Sequence, residues 1–279
     1  MRSPRFAVLL CGQMRTFNFC FASIKWQVLR HLGNCDFFVS TTLDEQTGSV
    51  KLLEQAFPDR RIQTDIVKEQ PDVYADLVNQ GVIPDKDYRP GYFHTHEPHV
   101  NSVHPRGWFR QYWQLSRAYK IFRQTTKPGD YDFVVRLRPD LHFQSFEMPD
   151  LQAPHAANTV YTPWWGRWGG VNDRFALMGD KAAHAYFECL DIIPELRRLG
   201  APVHPECLMK ASLEYHKVVL IPELCSEFAT IRLNGEVRQP EISNIDLAHL
   251  TLRRPRHASP QASSSLFAAL TTKSPATSR

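Results

Sequence analysis

Long apolar runs are absent from this 279-residue sequence. No stretch approaches the roughly 18 residues of a membrane-spanning helix, so the sequence predicts no transmembrane segment. Basic residues precede an early apolar run, as in a signal peptide, but Phe6 to Cys11 is shorter than the ~7–15 residues of a signal-peptide core. No small-residue cleavage site follows that run. We therefore interpret it as a first strand and expect a cytoplasmic protein, with which peripheral membrane association remains compatible.

Several sequence motifs are also missing. The six cysteines are scattered without a CxxC pair, which argues against a zinc knuckle or a redox motif. Reduced thiols in the cytoplasm are the simplest account of them. Neither GxGxxG nor GxxxxGK followed by Ser or Thr occurs, so dinucleotide binding and Walker-type ATP hydrolysis both lack their usual signature.

Charge of one sign is not in large excess. The formal net charge of +4, with 22% charged and 43% hydrophobic residues, is that of an ordinary globular protein and gives no case for nucleic-acid binding. No internal repeat is present. The length suits one α/β domain, which we place at residues 1–252. The Ser-, Pro- and Ala-rich residues 253–279 show no periodicity and predict a disordered tail.

The order of elements predicts the fold class. The runs RFAVLLCG and CDFFVSTT are typical of buried strands, and the segment between them has helical spacing. A strand–helix–strand order implies a parallel sheet with a right-handed crossover. RGWFRQYWQLSRAYKIFRQ predicts an amphipathic helix, and Asn-Gly within ATIRLNGEVRQ predicts a hairpin near the C-terminal end. We therefore expect an α/β protein with a mostly parallel sheet flanked by helices and a small C-terminal hairpin.

Charged residues end one of the predicted core strands. In YDFVVRLRPDLHF, side-chain alternation puts Arg136, Arg138 and Asp140 on one face and the apolar residues on the other. Pro139 cannot extend a central ladder, so pairing should stop there and Asp140 should lie at the rim of the sheet. Ligands of open α/β sheets bind at such strand ends. Two arginines and a carboxylate indicate an anion site, and a purely structural Arg–Asp pair capping the strand is the alternative.

Two later segments carry further candidates. WWGRWGGVNDRFALMG sets three tryptophans beside glycines, which suits stacking against a sugar ring, although a loop packed on the core by its tryptophans fits as well. Asn172, Asp173 and Arg174 follow with polar groups for hydroxyls. Glu206 opens the predicted helix PECLMKASL, where it is either a partner of the helix dipole or a general base.

A histidine-rich segment offers a competing hypothesis. HTHEPHVNSVH holds His94, His96, His99 and His104 together with Glu97. Histidine clusters bind zinc and other transition metals, but the spacing matches no HExxH helix and Pro98 interrupts it. Solvated loop histidines are the simpler interpretation, and a metal-dependent hydrolase remains a third candidate function.

The order of these blocks resembles glycosyltransferase-like proteins of the GT-A fold, which act in polysaccharide and glycan biosynthesis. The resemblance spans roughly residues 5–223 and depends on the blocks CGQMRT, QYWQL, RLRPD, GGVNDRFAL and PECLMK. It implies a nucleotide-sugar-dependent transferase with a hydroxyl acceptor on a glycan or polysaccharide. A catalytically inactive sugar- or nucleotide-binding module of the same fold is the alternative, because Arg138 stands where the family's DxD motif has its first acidic residue.

The resemblance also implies roles for individual residues. Mg²⁺ or Mn²⁺ would be held by Asp140, the one acidic residue left of that motif, and Glu206 or Asp173 would serve as the base of an inverting reaction, with Asp140 as a third catalytic candidate. The residues expected to bind the nucleotide-sugar donor are Gly12, Gln13, Arg15, Thr16, Arg136, Arg138, Asp140, Trp165, Gly169, Gly170, Asn172 and Arg174.

Overall fold

A computed structural model describes residues 2–83 and 106–238 of the chain. In that part it has ten strands and eight α-helices. The strands are β1 Arg5–Cys11, β2 Asn34–Thr42, β3 Ile62–Val67, β4 Phe133–Leu137, β5 Leu141–Phe146, β6 Thr159–Pro163, β7 Phe175–Gly179, β8 Val219–Leu224, β9 Ser226–Ile231 and β10 Val237–Arg238. The helices are α1 Phe17–Ile24, α2 Arg30–Leu32, α3 Lys51–Ala56, α4 Val73–Asn79, α5 Arg106–Thr125, α6 Asp180–Phe187, α7 Ile193–Arg198 and α8 Pro205–Tyr215.

Seven strands form the main sheet, in the order β3-β2-β1-β4-β7-β6-β8. β7 runs antiparallel to both of its neighbours, and the other paired strands are parallel. The expected α/β class with a mostly parallel, helix-flanked sheet is therefore confirmed. The predicted hairpin is also present: β9 and β10 pair in antiparallel fashion around Asn234-Gly235, and Gly235 has a φ of 78°.

A second sheet was not expected from the sequence. It has three strands in the order β10-β9-β5, and β5 follows β4 after only three residues. The chain therefore leaves the main sheet at Arg138 and enters the small sheet at Leu141. The Arg138–Asp140 turn thus lies at the junction of the two sheets.

The main sheet separates two hydrophobic cores. Because side chains alternate along β1, Ala7, Leu9 and Cys11 belong to one core and Phe6, Val8 and Leu10 to the other. The first core contains buried residues of α4 to α8, and the second contains those of α1 to α3 and of the small sheet. The amphipathic helix α5 buries Phe109, Tyr112, Leu115, Tyr119 and Phe122 in the first core, at the spacing of one helical face. α5 thereby passes close to the end of β4.

None of the helices in residues 2–83 and 106–238 has the length and apolar content needed to cross a membrane. The predicted tail at residues 253–279 and the histidine-rich segment from His94 to His104 lie outside the described residues.

Candidate functional site

The turn after β4 carries the central ion pair of the site. β4 ends at Leu137, so strand pairing stops before Pro139 as the sequence predicts. Arg138 then donates from Nε to Oδ1 of Asp140 at 2.9 Å and from Nη2 to Oδ2 at 2.7 Å. This is the bidentate geometry of a strong charge-assisted pair. The side chains are only 19% and 7% exposed.

Charge around this turn favours the ionised forms of both partners. Burial disfavours the Asp140 carboxylate, but Arg138, and then Arg232 and Arg15, hold its pKa below its ordinary value. Burial likewise disfavours the Arg138 guanidinium, whereas Asp140 keeps the pKa of that guanidinium raised. The pair is therefore a fixed ionic element of the site.

Arg136 has a different environment from Arg138, although the two share a face of the strand. It is fully buried, and its Nη1 donates to the carbonyl oxygens of Cys11 at 2.8 Å and of Leu137 at 2.7 Å. A guanidinium enclosed in this way ties β4 to the end of β1 and has no exposed surface for a ligand. The expectation that Arg136 contacts a diphosphate is therefore corrected, because Arg136 lies inside the sheet and Arg138 lies beyond its last paired residue.

The turn after β1 lies beside the turn after β4. A Cβ atom on Gly12 would approach Cδ of Pro139 to 2.9 Å, and the φ of Gly12 is 140°, so this close approach requires glycine. Gln13 is exposed, whereas Thr16 is buried and donates to the carbonyl oxygen of Ile231 at 3.1 Å. The predicted nucleotide-facing turn therefore also anchors the end of β9, with the half-buried Arg15 next to that anchor.

A chain of polar contacts connects the ion pair to Asp173. Gln111 on α5 accepts from Nη1 of Arg138 at 3.4 Å and donates to Oδ2 of Asp173 at 2.6 Å. Asp173 is 6% exposed and lies just before β7. Its charge acts on Arg138 and on Glu206. The two predicted carboxylates Asp140 and Asp173 are therefore brought into one site by a residue that the sequence did not single out.

Glu206 is the third carboxylate of the site. It lies in the first turn of α8, is 5% exposed, and its Oε2 is 2.9 Å from Nδ1 of His204. Burial and Asp173 raise the pKa of Glu206, and His204 opposes them. Burial disfavours the imidazolium of His204, but the Glu206 carboxylate raises the pKa of His204 to about 10. At neutral pH His204 is thus the positive partner of a buried pair.

The glycine-rich turn positions this pair. Gly170 lies directly against the start of α8, where an added Cβ would come within 1.9 Å of the carbonyl oxygen of Glu206. The backbone amide of Val171 donates to that same carbonyl at 3.0 Å. Gly169 is exposed beside it with a φ of 82°, and Arg174 acts on Glu206 through its charge. The turn therefore sets the place of Glu206 through backbone contact.

Two residues of the same segment are part of the core instead. Trp165 is 2% exposed, donates from Nε1 to the carbonyl oxygen of Ser226 at 2.9 Å and packs on Phe228 with ring centroids 4.5 Å apart. Asn172 is fully buried, donates to the carbonyl oxygen of Trp165 and accepts from the amide of Arg174. Both were expected to contact the donor. Their polar groups are instead satisfied inside the protein, and the tryptophan packs the loop on the core.

Sequence reasoning missed Gln111, His204 and Arg232. Gln111 lies within the helical block QYWQL. His204 is two residues before Glu206, and in an extended segment residues at this spacing have their side chains on the same side. That spacing was the available signal for His204. Arg232 follows β9 and reaches the site only because β5 and β9 pair. No local sequence pattern predicts a contact that depends on the pairing of two distant strands.

The residues of the turn do not fit a divalent cation. Mg²⁺ and Mn²⁺ take several oxygen ligands, and a DxD-type site supplies two carboxylates. Here the first position is Arg138, whose guanidinium occupies both oxygens of Asp140. Within residues 2–83 and 106–238 no group of three or more His, Cys, Asp or Glu side chains is arranged to hold a metal ion. The donor set thus disagrees with the implied metal role of Asp140.

The His204–Glu206 pair predicts a pH dependence of stability. Because the folded-state pKa of His204 is raised to about 10 from an ordinary 6.5, the contribution of His204 is fully present below pH 6.5 and is lost as pH rises toward 10. Between pH 6.5 and 8.5 the loss should be about 2 kcal/mol, at ~1.36 kcal/mol per pH unit. Urea unfolding across this range measures it. His204→Gln should flatten the slope, whereas His142→Gln, which changes an exposed histidine of β5, should not. An equal slope in wild type and His204→Gln would contradict the assignment.

Comparison with known proteins gives a distant fold similarity. No family model matches the sequence, and no curated protein matches it. A solved structure of the apo form of the glycosyltransferase GlyE from Streptococcus pneumoniae TIGR4 is similar with a TM-score of 0.40 and 11% identity. The similarity covers 79% of this chain and 45% of that chain, so this chain spans less than half the length of that protein.

Proposed function

We propose that this protein is a GT-A-like glycosyltransferase that moves a sugar from a nucleotide-diphosphate donor to a hydroxyl of a glycan or polysaccharide acceptor. One observation carries the proposal: two buried carboxylates, Asp173 and Glu206, share a site with arginines where the parallel strands β1 and β4 end. Ligands of open α/β sheets bind at this edge. A base beside an anion site is what transfer from a diphosphate donor requires.

The proposed roles follow the position of each side chain. The turn from Gly12 to Arg15 faces the nucleotide, and Arg138 faces the diphosphate. Gly169 and Arg174 line the place of the sugars, Gly170 positions the start of α8, and Asp140 holds Arg138 in position. Glu206 is the base, with Asp173 beside it.

The reaction would be a single displacement with inversion. The acceptor oxygen attacks the anomeric carbon of the donor sugar, and a new C–O bond forms as the bond to the nucleoside diphosphate breaks. The diphosphate leaves with the bonding electron pair, and the Glu206 carboxylate accepts the proton of the acceptor hydroxyl. The positive charge of His204 favours the carboxylate form of Glu206, against burial and Asp173, which raise the pKa of Glu206.

Substitution of the base tests the proposal. A thermal-shift screen of nucleotide sugars first identifies the donor, because a ligand at ~100 times its dissociation constant adds about 2.7 kcal/mol to stability. With that donor, Glu206→Gln should lower turnover at least about 100-fold, since general-base catalysis contributes about 10²–10⁴-fold. Glu214→Gln, on the exposed side of the same helix and near Lys210, is the matched control.

Two outcomes would contradict the proposal. If Glu206→Gln turns the donor over at the wild-type rate, Glu206 is not the base. If calorimetry shows donor binding without turnover across a panel of acceptors, the protein is the sugar- or nucleotide-binding module instead.

A further inference from the structure

Three chain segments are bound together around Asp140. The hydroxyl of Thr16 donates to the carbonyl oxygen of Ile231 at 3.1 Å, and the amide of Ile231 donates to the carbonyl oxygen of Asp140 at 2.9 Å. Each segment carries an arginine next to its anchor point: Arg15 before Thr16, Arg232 after Ile231, and Arg138 two residues before Asp140. The fold therefore brings three guanidinium groups to one place from the ends of β1, β4 and β9.

Arg15, Arg138 and Arg232 form an arginine cluster around Asp140, and Asp173 and Glu206 also act on Arg138 through their charge. Asp140 is the carboxylate that all three act on, and Arg138 already occupies both of its oxygens. Burial, Arg138, Arg238 and Arg15 lower the pKa of Arg232, while Asp140 opposes them. The Nε of Arg232 is buried without a hydrogen-bond partner within residues 2–83 and 106–238. Arg15 and Arg138 act on Arg232 as like charges, and such a cluster with this unpartnered N–H favours an anion.

We propose that Arg15, Arg138 and Arg232 form a metal-independent binding site for a diphosphate group, in which Asp140 is the counter-charge that positions the guanidinium groups and is not a metal ligand. The inference deepens the proposed function and rests on it for the sugar nucleotide as the natural source of that diphosphate. Three arginines on three segments match the several oxygens of a diphosphate better than those of a single carboxylate.

The position of Arg232 is fixed by the small sheet. It lies at the start of the β9–β10 turn, where the amide of Arg232 donates to the carbonyl oxygen of Glu236 and so fixes the backbone. Arg138 is held by Asp140 and Gln111, and its remaining N–H groups are the ones left for a ligand. The small sheet thus supplies, through Arg232, a positive charge that takes the place of a metal ion.

Calorimetry with inorganic pyrophosphate tests the site without requiring transfer activity. The wild-type protein should bind pyrophosphate in buffer with about 1 mM EDTA, which removes free metal. In EDTA-free buffer, about 1 mM MgCl₂ should not tighten the binding by more than about twofold. Arg232→Gln should weaken binding at least about tenfold, and Arg232→Lys should fall between, because a lysine keeps the charge but loses the fork. Arg198→Gln, which removes an exposed arginine of α7, should bind within about twofold of wild type.

The outcomes separate this proposal from the proposed function. Binding that needs Mg²⁺, or equal affinity in wild type, Arg232→Gln and Arg232→Lys, would overturn the arginine site even if sugar transfer is found. If pyrophosphate binds without metal and the binding depends on Arg232, but the protein transfers no sugar, the arginine site is supported and the proposed transferase function is contradicted. Circular dichroism of each variant ensures that affinity is compared between folded proteins.

Discussion

Gly170→Ala is expected to destabilise the protein by about 3 kcal/mol or more, which would make it one of the most damaging single-methyl additions in the described chain. The new Cβ would lie 1.9 Å from the carbonyl oxygen of Glu206, 2.0 Å from the carbonyl carbon and 2.4 Å from the amide nitrogen of Cys207. All three contacts are with backbone atoms. A flexible side chain could move aside, but the first turn of α8 cannot move without breaking its own hydrogen bonds.

The clash also predicts a functional effect. Val171 donates to the same Glu206 carbonyl, so the turn and the helix would have to separate together. A displaced Glu206 would move away from His204 and Asp173. Turnover should therefore fall along with stability. Even a shift of about 1 Å in a catalytic group costs roughly 100-fold in rate.

Gly107→Ala is the matched control for this substitution. Gly107 lies in the first turn of α5, and an added Cβ there meets no atom within 4 Å. Alanine in a helix should stabilise the protein by about 0.5–1 kcal/mol. Urea midpoints of the two variants provide the measurement. If Gly170→Ala unfolds at the same urea concentration as wild type, the close packing of the turn on α8 is wrong.

Local patterns in the sequence predicted the fold class well because they are physical consequences of the fold. The continuous apolar runs of β1 and β2 follow from a sheet with two buried faces, and the spacing in α5 follows from one buried helical face. The Asn-Gly pair favours a tight hairpin turn, and that turn is present between β9 and β10. β5 was missed because LHFQSF follows a proline turn and pairs with β9, about 85 residues later in the chain.

The site was predicted only in part, for a related reason. Strand ends and helix starts have local signals, and these indicated Arg138, Asp140, Asp173 and Glu206, which the fold brings near one another. Burial is decided by tertiary contacts, so the sequence could not distinguish the enclosed Arg136 from the rim residue Arg138. The same limit applies to Trp165, where chemistry suited to a sugar ring is also suited to packing on Phe228.

Asp140→Ala is expected to cost about 3–5 kcal/mol, because it leaves the Arg138 guanidinium largely buried without its partner. The loss should be greater than that of a simple pair, since Arg15 and Arg232 also act on Asp140 and would lose the favourable interaction with its carboxylate. Asp65→Ala breaks the half-exposed pair of Asp65 with Arg117 and is the matched control. It should cost about 1 kcal/mol or less.

A double-mutant cycle isolates the pair from the loss of side-chain atoms. Arg138→Gln combined with Asp140→Asn should be more stable than the sum of the single changes predicts, with a coupling free energy of about 2–3 kcal/mol from urea unfolding. A neutral pair of similar shape can still form hydrogen bonds, whereas each single variant leaves one buried charge unpaired. Coupling near zero would mean that Asp140 does not hold Arg138 in place, and Asp140 would then be available for the metal that the arginine cluster is proposed to replace.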